Sequence, residues 1–191
     1  MGYALAAAGT SLGHRVTLVS GPTELEPPAD VELQAVVSGL EMQAEAERAF
    51  AKCQVAFGAA AVADYRPGRR QPGKPPKTAG SFNLALRSNP DIIAGLGGRK
   101  GDRVVVGFAL EAAAGGLEAA VERGGPKLRA KHLDLLVVNL DTAVGRDHSQ
   151  VILLFADGRR EDLPEQSKYA TAEHLVRLGV DMWKGRAEAR G

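Results

Sequence analysis

The sequence predicts an α/β fold: a three-layer, Rossmann-like domain built on a mostly parallel sheet. Three observations carry this. Short, continuous apolar runs such as Val104-Val105-Val106 and Leu135-Leu136-Val137-Val138 read as strands covered on both faces. Segments with helical spacing of apolar residues alternate with those runs along the chain. Charged and polar residues gather where several runs end, which is where open α/β sheets bind their ligands.

The chain has 191 residues, of which 45% are hydrophobic and 25% charged, enough to bury a full core as one domain. We place that domain at residues 1–183 and treat 184–191 as a polar tail. A formal net charge of +1 and only 5% aromatic residues argue against a general nucleic-acid binder, which needs a basic face or stacking platforms. Cys53 is the only cysteine, so no internal disulfide forms, and a reducing compartment fits. No apolar run reaches the roughly 20 residues of a membrane span. The expected location is the cytoplasm, with no membrane partner.

Met1 to Gly13 reads as a helix of good formers with a glycine stop, and Val16–Val19 as a short strand. A doubly wound domain usually opens with a strand and a glycine-rich turn feeding its first helix. Here the reading begins inside the helix, so the first strand and its loop are expected to be missing. Val31–Val37 alternates as a second strand, and Glu41–Lys52 is an amphipathic helix. Val55 through Ala63 reads as a buried strand ended by Asp64-Tyr65, and Phe82–Leu86 as an edge strand or hairpin arm. Asn89-Pro90-Asp91 is a helix start, with Asn89 as the N-cap candidate. Arg103–Ala109 is a strand. Leu117–Lys131 is helical, but Gly124-Gly125-Pro126 is expected to break or restart it. Leu133–Asn139 and Val151–Phe155 are strands, Asp157-Gly158 is a hairpin turn, and Ser167 to about Trp183 is the closing helix.

The chemistry concentrates between Gln54 and Pro90. After Asp64 a loop holds Arg66, Arg69, Arg70, Lys74 and Lys77 among Pro67, Pro72, Pro75 and Pro76, and no acidic residue intervenes before Asp91. Such a lobe beyond a strand end suits an anion, most simply a phosphate chain, and prolines lower the entropy cost of closing a loop on it. The alternative is a solvated surface loop. Asp64 accepts from a ribose or base, holds a metal ion, or caps its loop. Glu111 touches a ligand or forms a structural salt bridge. Lys127 and Lys131 lie four apart on one helix face, as a phosphate clamp or as a solvated surface. Asn139 and Asp141 follow the next strand. His14, His132, His148 and His174 show no metal-ligand spacing, and no nucleophile motif is present, which points away from covalent hydrolysis. The residues themselves reach an α/β domain for a nucleotide or phosphorylated substrate.

Several motifs occur in one order: Val16-Thr17-Leu18-Val19-Ser20-Gly21-Pro22, Glu41-Met42, Ala59-Ala60-Ala61-Val62-Ala63-Asp64-Tyr65, Lys74-Pro75-Pro76-Lys77 and Asn89-Pro90-Asp91-Ile92. They continue with Gly107-Phe108-Ala109-Leu110-Glu111, Lys127-Leu128 with Lys131, and Asp134 to Asn139. The ordered set resembles bacterial phosphopantothenate–cysteine ligase of coenzyme A biosynthesis, usually fused to a flavin-dependent decarboxylase. The resemblance implies that CTP activates 4′-phosphopantothenate as an acyl-cytidylate, with Mg²⁺ on the triphosphate, and that the amine of cysteine then displaces CMP. It also implies a homodimer. By the same resemblance Gly58, Ala59, Ala60 and Asp64 line the cytidine pocket, with Pro90, Asp91, Ile92, Ile93 and Phe108 beside it. Lys77, with Lys74 in the same loop, meets the phosphates during activation, and Lys127 and Lys131 hold the nucleotide.

The chain also departs from the family. No counterpart of its glycine-rich segment, with the asparagine of the acyl-cytidylate step, precedes Met1. Lys74-Pro75-Pro76-Lys77 replaces a Lys-Ile-Lys-Lys motif, Ala112 stands where threonine usually follows the glutamate, and His148 and Gln150 stand near positions usually Phe and Asn. Weak or no turnover by these 191 residues is therefore expected. Two alternatives remain: an oxidoreductase-type dinucleotide domain, for which no Gly-x-Gly-x-x-Gly is visible, and a catalytically impaired binding or assembly domain.

Overall fold

The computed structural model describes residues 1–69, 73–74, 77, 80–112, 115–140 and 147–189. Arg70, Pro72, Pro75, Pro76 and Asp141, singled out above, lie outside this set. Helix α1 (Gly2–Ser11) leads into β1 (Val16–Ser20), which pairs in parallel with β2 (Val31–Ala35). Helix α2 (Gly39–Phe50) starts at Ser38, whose hydroxyl accepts from the Glu41 amide, and returns to β3 (Val55–Gly58). A short antiparallel ribbon of β4 (Tyr65–Pro67) and β5 (Leu86–Ser88) precedes α3 (Ile92–Gly97). Then come β6 (Val104–Glu111), α4 (Gly116–Ala130) and β7 (Leu135–Leu140). The hairpin of β8 (His148–Phe155) and β9 (Arg160–Ser167) and the long helix α5 (Lys168–Glu188) finish the domain.

The main sheet has the order β3-β6-β7-β8-β9, with β3, β6 and β7 parallel, β8 antiparallel to β7, and β9 antiparallel to β8. Its central strands alternate their side chains between two cores, as the strand period requires. Val104, Val106, Leu135 and Val137 point to one side and pack with Leu5 and Ala8 of α1 and Leu175 and Val176 of α5. Val105, Leu136 and Val138 point to the other and meet Phe50, Leu96, Ala120 and Leu128 from α2, α3 and α4. Three layers result, as the apolar runs predict.

Several local expectations need correction. The apolar run from Val55 forms a strand only to Gly58, and β3 is an edge strand of half-buried residues, because it pairs with β6 alone. The arm expected at Phe82–Leu86 pairs instead at Leu86–Ser88. Helix α4 runs unbroken through Pro126. Gly124 explains part of this: a Cβ there would lie 3.0 Å from Val138 Cγ2 and 3.2 Å from Leu154 Cδ1, so the helix is held by close packing on the sheet. Helix α5 extends through the expected tail to Glu188, because Arg186 donates back to the Arg103 carbonyl and to the Asp134 carboxylate. Finally, Asp91 rather than Asn89 caps α3, accepting from the Ala94 amide at 3.1 Å.

Gly97 closes α3 against the turn after α4. A Cβ built on it would sit 2.0 Å from the Lys131 carbonyl oxygen, a backbone atom that cannot swing aside. Gly97→Ala is expected to cost about 1–3 kcal/mol or more by overpacking, read as a lower urea midpoint. An unchanged midpoint would show that the two segments separate freely.

Candidate nucleotide-binding site

A cleft of about 1120 Å³ runs between β1 and β3 along their whole length, from Arg15 and Gln54 at the strand starts to Ser20 and Gly58 at their ends. Each of these strands pairs on one side only, β1 with β2 and β3 with β6, and both line the cleft. The end of β3 supplies Gly58, followed by Ala59, Ala60 and Asp64 along the rim. Gly58 is needed here, since a Cβ would lie 2.5 Å from Ile93 Cδ1; without one, the start of α3 packs directly on the strand end. That contact brings Pro90, Asp91, Ile92 and Ile93 into the wall, and Phe108 reaches it from the adjacent β6.

Asn89 fixes the mouth. Its amide donates to the Asp64 carbonyl and its Nδ2 to the Ala63 carbonyl, both at 2.7 Å. Arg66 donates to the Ser88 carbonyl and to Asn89 Oδ1. The loop between Asp64 and Asn89 therefore leaves and re-enters at one clamped point. On the β1 side the Tyr3 hydroxyl lies 3.0 Å from Ser20 Oγ, a polar pair in the cleft wall that sequence reasoning missed.

Lys131 is the cation within the cleft wall among the predicted ones, its Nζ 3.0 Å from Asp91 Oδ2. Lys127 lies outside that wall and pairs with the buried Glu111, which also accepts from Arg123 Nε at 2.9 Å. Burial pushes the Glu111 carboxyl up, but hydrogen bonds from Lys127 and Arg123 outweigh it and leave the group below the usual carboxylate range. Arg123 was not among the predicted residues. The four-residue spacing of Lys127 and Lys131 extends back to it, a signal hidden by the break expected at Pro126. Lys74 and Lys77 are exposed and do not line the cleft. The structure thus gathers ten predicted positions, Gly58, Ala59, Ala60, Asp64, Pro90, Asp91, Ile92, Ile93, Phe108 and Lys131, and leaves Lys74, Lys77 and Lys127 apart.

Among the described residues, no group of three or more His, Cys, Asp or Glu is placed to hold a metal ion. Nor, among them, is any helix long and apolar enough to cross a membrane.

A three-layer α/β domain built on a mainly parallel sheet, with an open cleft between two of its parallel strands, is Rossmann-like. Comparison with known proteins narrows the class. The chain belongs to the family described as the DNA/pantothenate metabolism flavoprotein C-terminal domain, whose model matches residues 1–181. It is 36% identical over 173 residues to the coenzyme A biosynthesis bifunctional protein CoaBC of Bacillus subtilis, covering 88% of this chain and 41% of that protein. The chain thus spans less than half the length of that relative. Among solved structures, the C-terminal domain of a CoaBC protein superposes with a TM-score of 0.78 at 30% identity, covering 96% of this chain and 82% of that one. A Cab2 mutant in complex with phosphopantothenate-cysteine shares the fold, with a TM-score of 0.64 at 17% identity, covering 85% of this chain and 56% of that one.

Proposed function

We propose that this domain ligates 4′-phosphopantothenate to cysteine with CTP, in coenzyme A biosynthesis. The observation that carries the reading is the convergence on one cleft of residues from β3, the loop after it, the start of α3, β6 and α4. The family membership and the bifunctional relatives support it.

In this reading the cytidine lies against Gly58, Ala59 and Ala60 at the end of β3. Asp64 accepts from the nucleoside, and Phe108 and the start of α3 close the other side. Lys131 meets the phosphates, and Lys77, with Lys74, approaches from the loop above. A carboxylate oxygen of phosphopantothenate attacks the α-phosphorus, and the bond to the β-phosphate oxygen breaks to release pyrophosphate. The cysteine amine then attacks the acyl carbon, loses a proton and displaces CMP. The attacking groups belong to the substrates, which accounts for the absence of a nucleophile motif. The enzyme's share is orientation and charge stabilisation. Mg²⁺ usually binds through one or two carboxylates together with substrate phosphates. Asp64 at the rim fits that arrangement, and the ion would neutralise triphosphate charge.

A homodimer belongs to the same reading. The β4–β5 ribbon and its approach expose Tyr65, Phe82, Leu84 and Leu86 at 54–64%, an apolar edge suited to a second copy. A flavin-dependent decarboxylase domain, fused or separate, is the further partner.

The test is pyrophosphate release with CTP and with ATP in the presence of phosphopantothenate and cysteine, alongside NAD binding. Release with CTP in preference to ATP is the expected result. NAD binding without pyrophosphate release would favour a dinucleotide oxidoreductase, and no binding at all an assembly domain. Lys77→Gln is expected to lower turnover by about a hundredfold with the circular-dichroism spectrum unchanged; unaltered turnover removes Lys77 from the mechanism.

A further inference from the structure

Arg123, Lys127 and Lys131 follow one another at four-residue intervals on α4 and so share one face of the helix. Glu111, the last residue of β6, lies beneath the upper two. It is 5% exposed, and both its oxygens are used: Oε1 accepts from Lys127 Nζ and Oε2 from Arg123 Nε. Arg123 Nη2 also donates to the Ala112 carbonyl at 2.9 Å. The cationic side chains remain 49% and 40% exposed. An ammonium has three N–H donors and a guanidinium five, so the contacts just named leave two on Lys127 and three on Arg123. The result is an asymmetric arrangement. One buried carboxylate holds two half-exposed cations, so among the described residues this cluster is positive beyond the end of a parallel strand.

The buried Asp134 also holds two cations, Lys100 and Arg186, but those are 25% and 31% exposed, whereas Lys127 and Arg123 are 49% and 40% exposed. The Glu111 arrangement fixes two donors side by side with their outer N–H groups facing solvent. Two fixed cations with spare donors match the oxygens of a phosphate group, and their entropy of ordering is lost before the ligand arrives. We propose that Glu111 is a positioning residue that holds Lys127 and Arg123 as a two-pronged clamp for a phosphate group, with Arg123 a ligand contact in its own right. The inference deepens the ligase reading above and rests on it for the source of the phosphate.

The test uses the purified chain and three probes: inorganic pyrophosphate, CTP and 4′-phosphopantothenate, each titrated by calorimetry at two salt concentrations. Glu111→Gln keeps the shape and one acceptor oxygen but removes the charge that aligns the cations. It is expected to weaken one of these probes by about tenfold, whereas Glu111→Asp restores part of that loss. Arg123→Met, at an exposed position that threatens the fold less, is expected to weaken the same probe by about tenfold and to flatten its salt dependence. Loss confined to pyrophosphate and CTP assigns the clamp to the triphosphate, and loss confined to phosphopantothenate assigns it to the substrate's phosphate. Equal affinities in wild type, Glu111→Gln and Arg123→Met overturn the proposal, as does a wild type that binds none of the three. A chain that binds pyrophosphate through these residues yet releases none from CTP leaves the clamp standing and removes the ligase reading.

Discussion

Replacing Asp134 with alanine is expected to cost about 3–5 kcal/mol and to lower the melting temperature by about 10 °C. Asp134 precedes β7 and is 2% exposed. Its Oδ2 accepts from the Val105 amide at 2.8 Å, and its Oδ1 from Lys100 Nζ at 2.6 Å and from Arg186 Nη2. Its own amide donates to the Val105 carbonyl and its carbonyl accepts from the Ala156 amide. One side chain therefore joins β6, the turn before it and the end of α5. Alanine would leave a strand amide and two cations without their acceptor, and the desolvation cost of unpaired groups exceeds the net worth of the bonds themselves. Against a typical total of 5–15 kcal/mol, such a loss is a large fraction. Asp134→Asn, whose single oxygen keeps either the bond from the Val105 amide or those from the cations, is expected to fall between. Chemical denaturation of the three proteins checks this; a loss below about 1 kcal/mol for alanine would mean that α5 is held by its apolar face alone.

The second large effect is on catalysis. Lys131→Met is expected to lower kcat/KM for pyrophosphate release by about a hundredfold, while changing stability by less than about 1 kcal/mol. The two halves of this expectation have separate causes. Lys131 and Asp91 form a half-exposed pair, 35% and 50% open to solvent, and such pairs contribute little to folding. In the cleft, however, Lys131 neutralises Asp91 and offers its remaining donors inward. Without it, the Asp91 carboxylate would face the phosphates as an uncompensated like charge. The loss therefore combines a missing attraction with a new repulsion. A decrease of less than threefold would place the phosphates elsewhere.

The elements most legible in the sequence were those whose own residues carry the signal. Val104–Val106 and Leu135–Val138 are apolar at every position because both faces of their strands are covered, and that can be read without knowing the neighbours. Less legible were features set by distant partners. The run from Val55 to Ala63 is as apolar as a central strand, yet it stops at Gly58 because Ile93 packs over that residue and β6 pairs with nothing beyond it there. The composition of 184–191 is that of a frayed tail, and only the contact of Arg186 with Asp134, 52 residues away, makes its first part helical. In the site, the shared motifs marked the cleft wall well. Asn89 was read as a cap from local rules, whereas its bonds to Ala63 and Asp64 depend on a loop closing across more than twenty residues. The pairing of Glu111 with two cations required knowing which helix face lies over β6.

The packing of α1 on α5 has a consequence for how the protein is made. Leu5 and Ala8 bury against Leu175 and Val176, so the opening helix has no complete seat until the closing one has left the ribosome. At roughly 5–20 residues per second, that interval is on the order of ten to thirty seconds. A short apolar segment thus waits with part of its surface uncovered until α5 emerges, and chaperones that scan nascent chains would meet it in that interval.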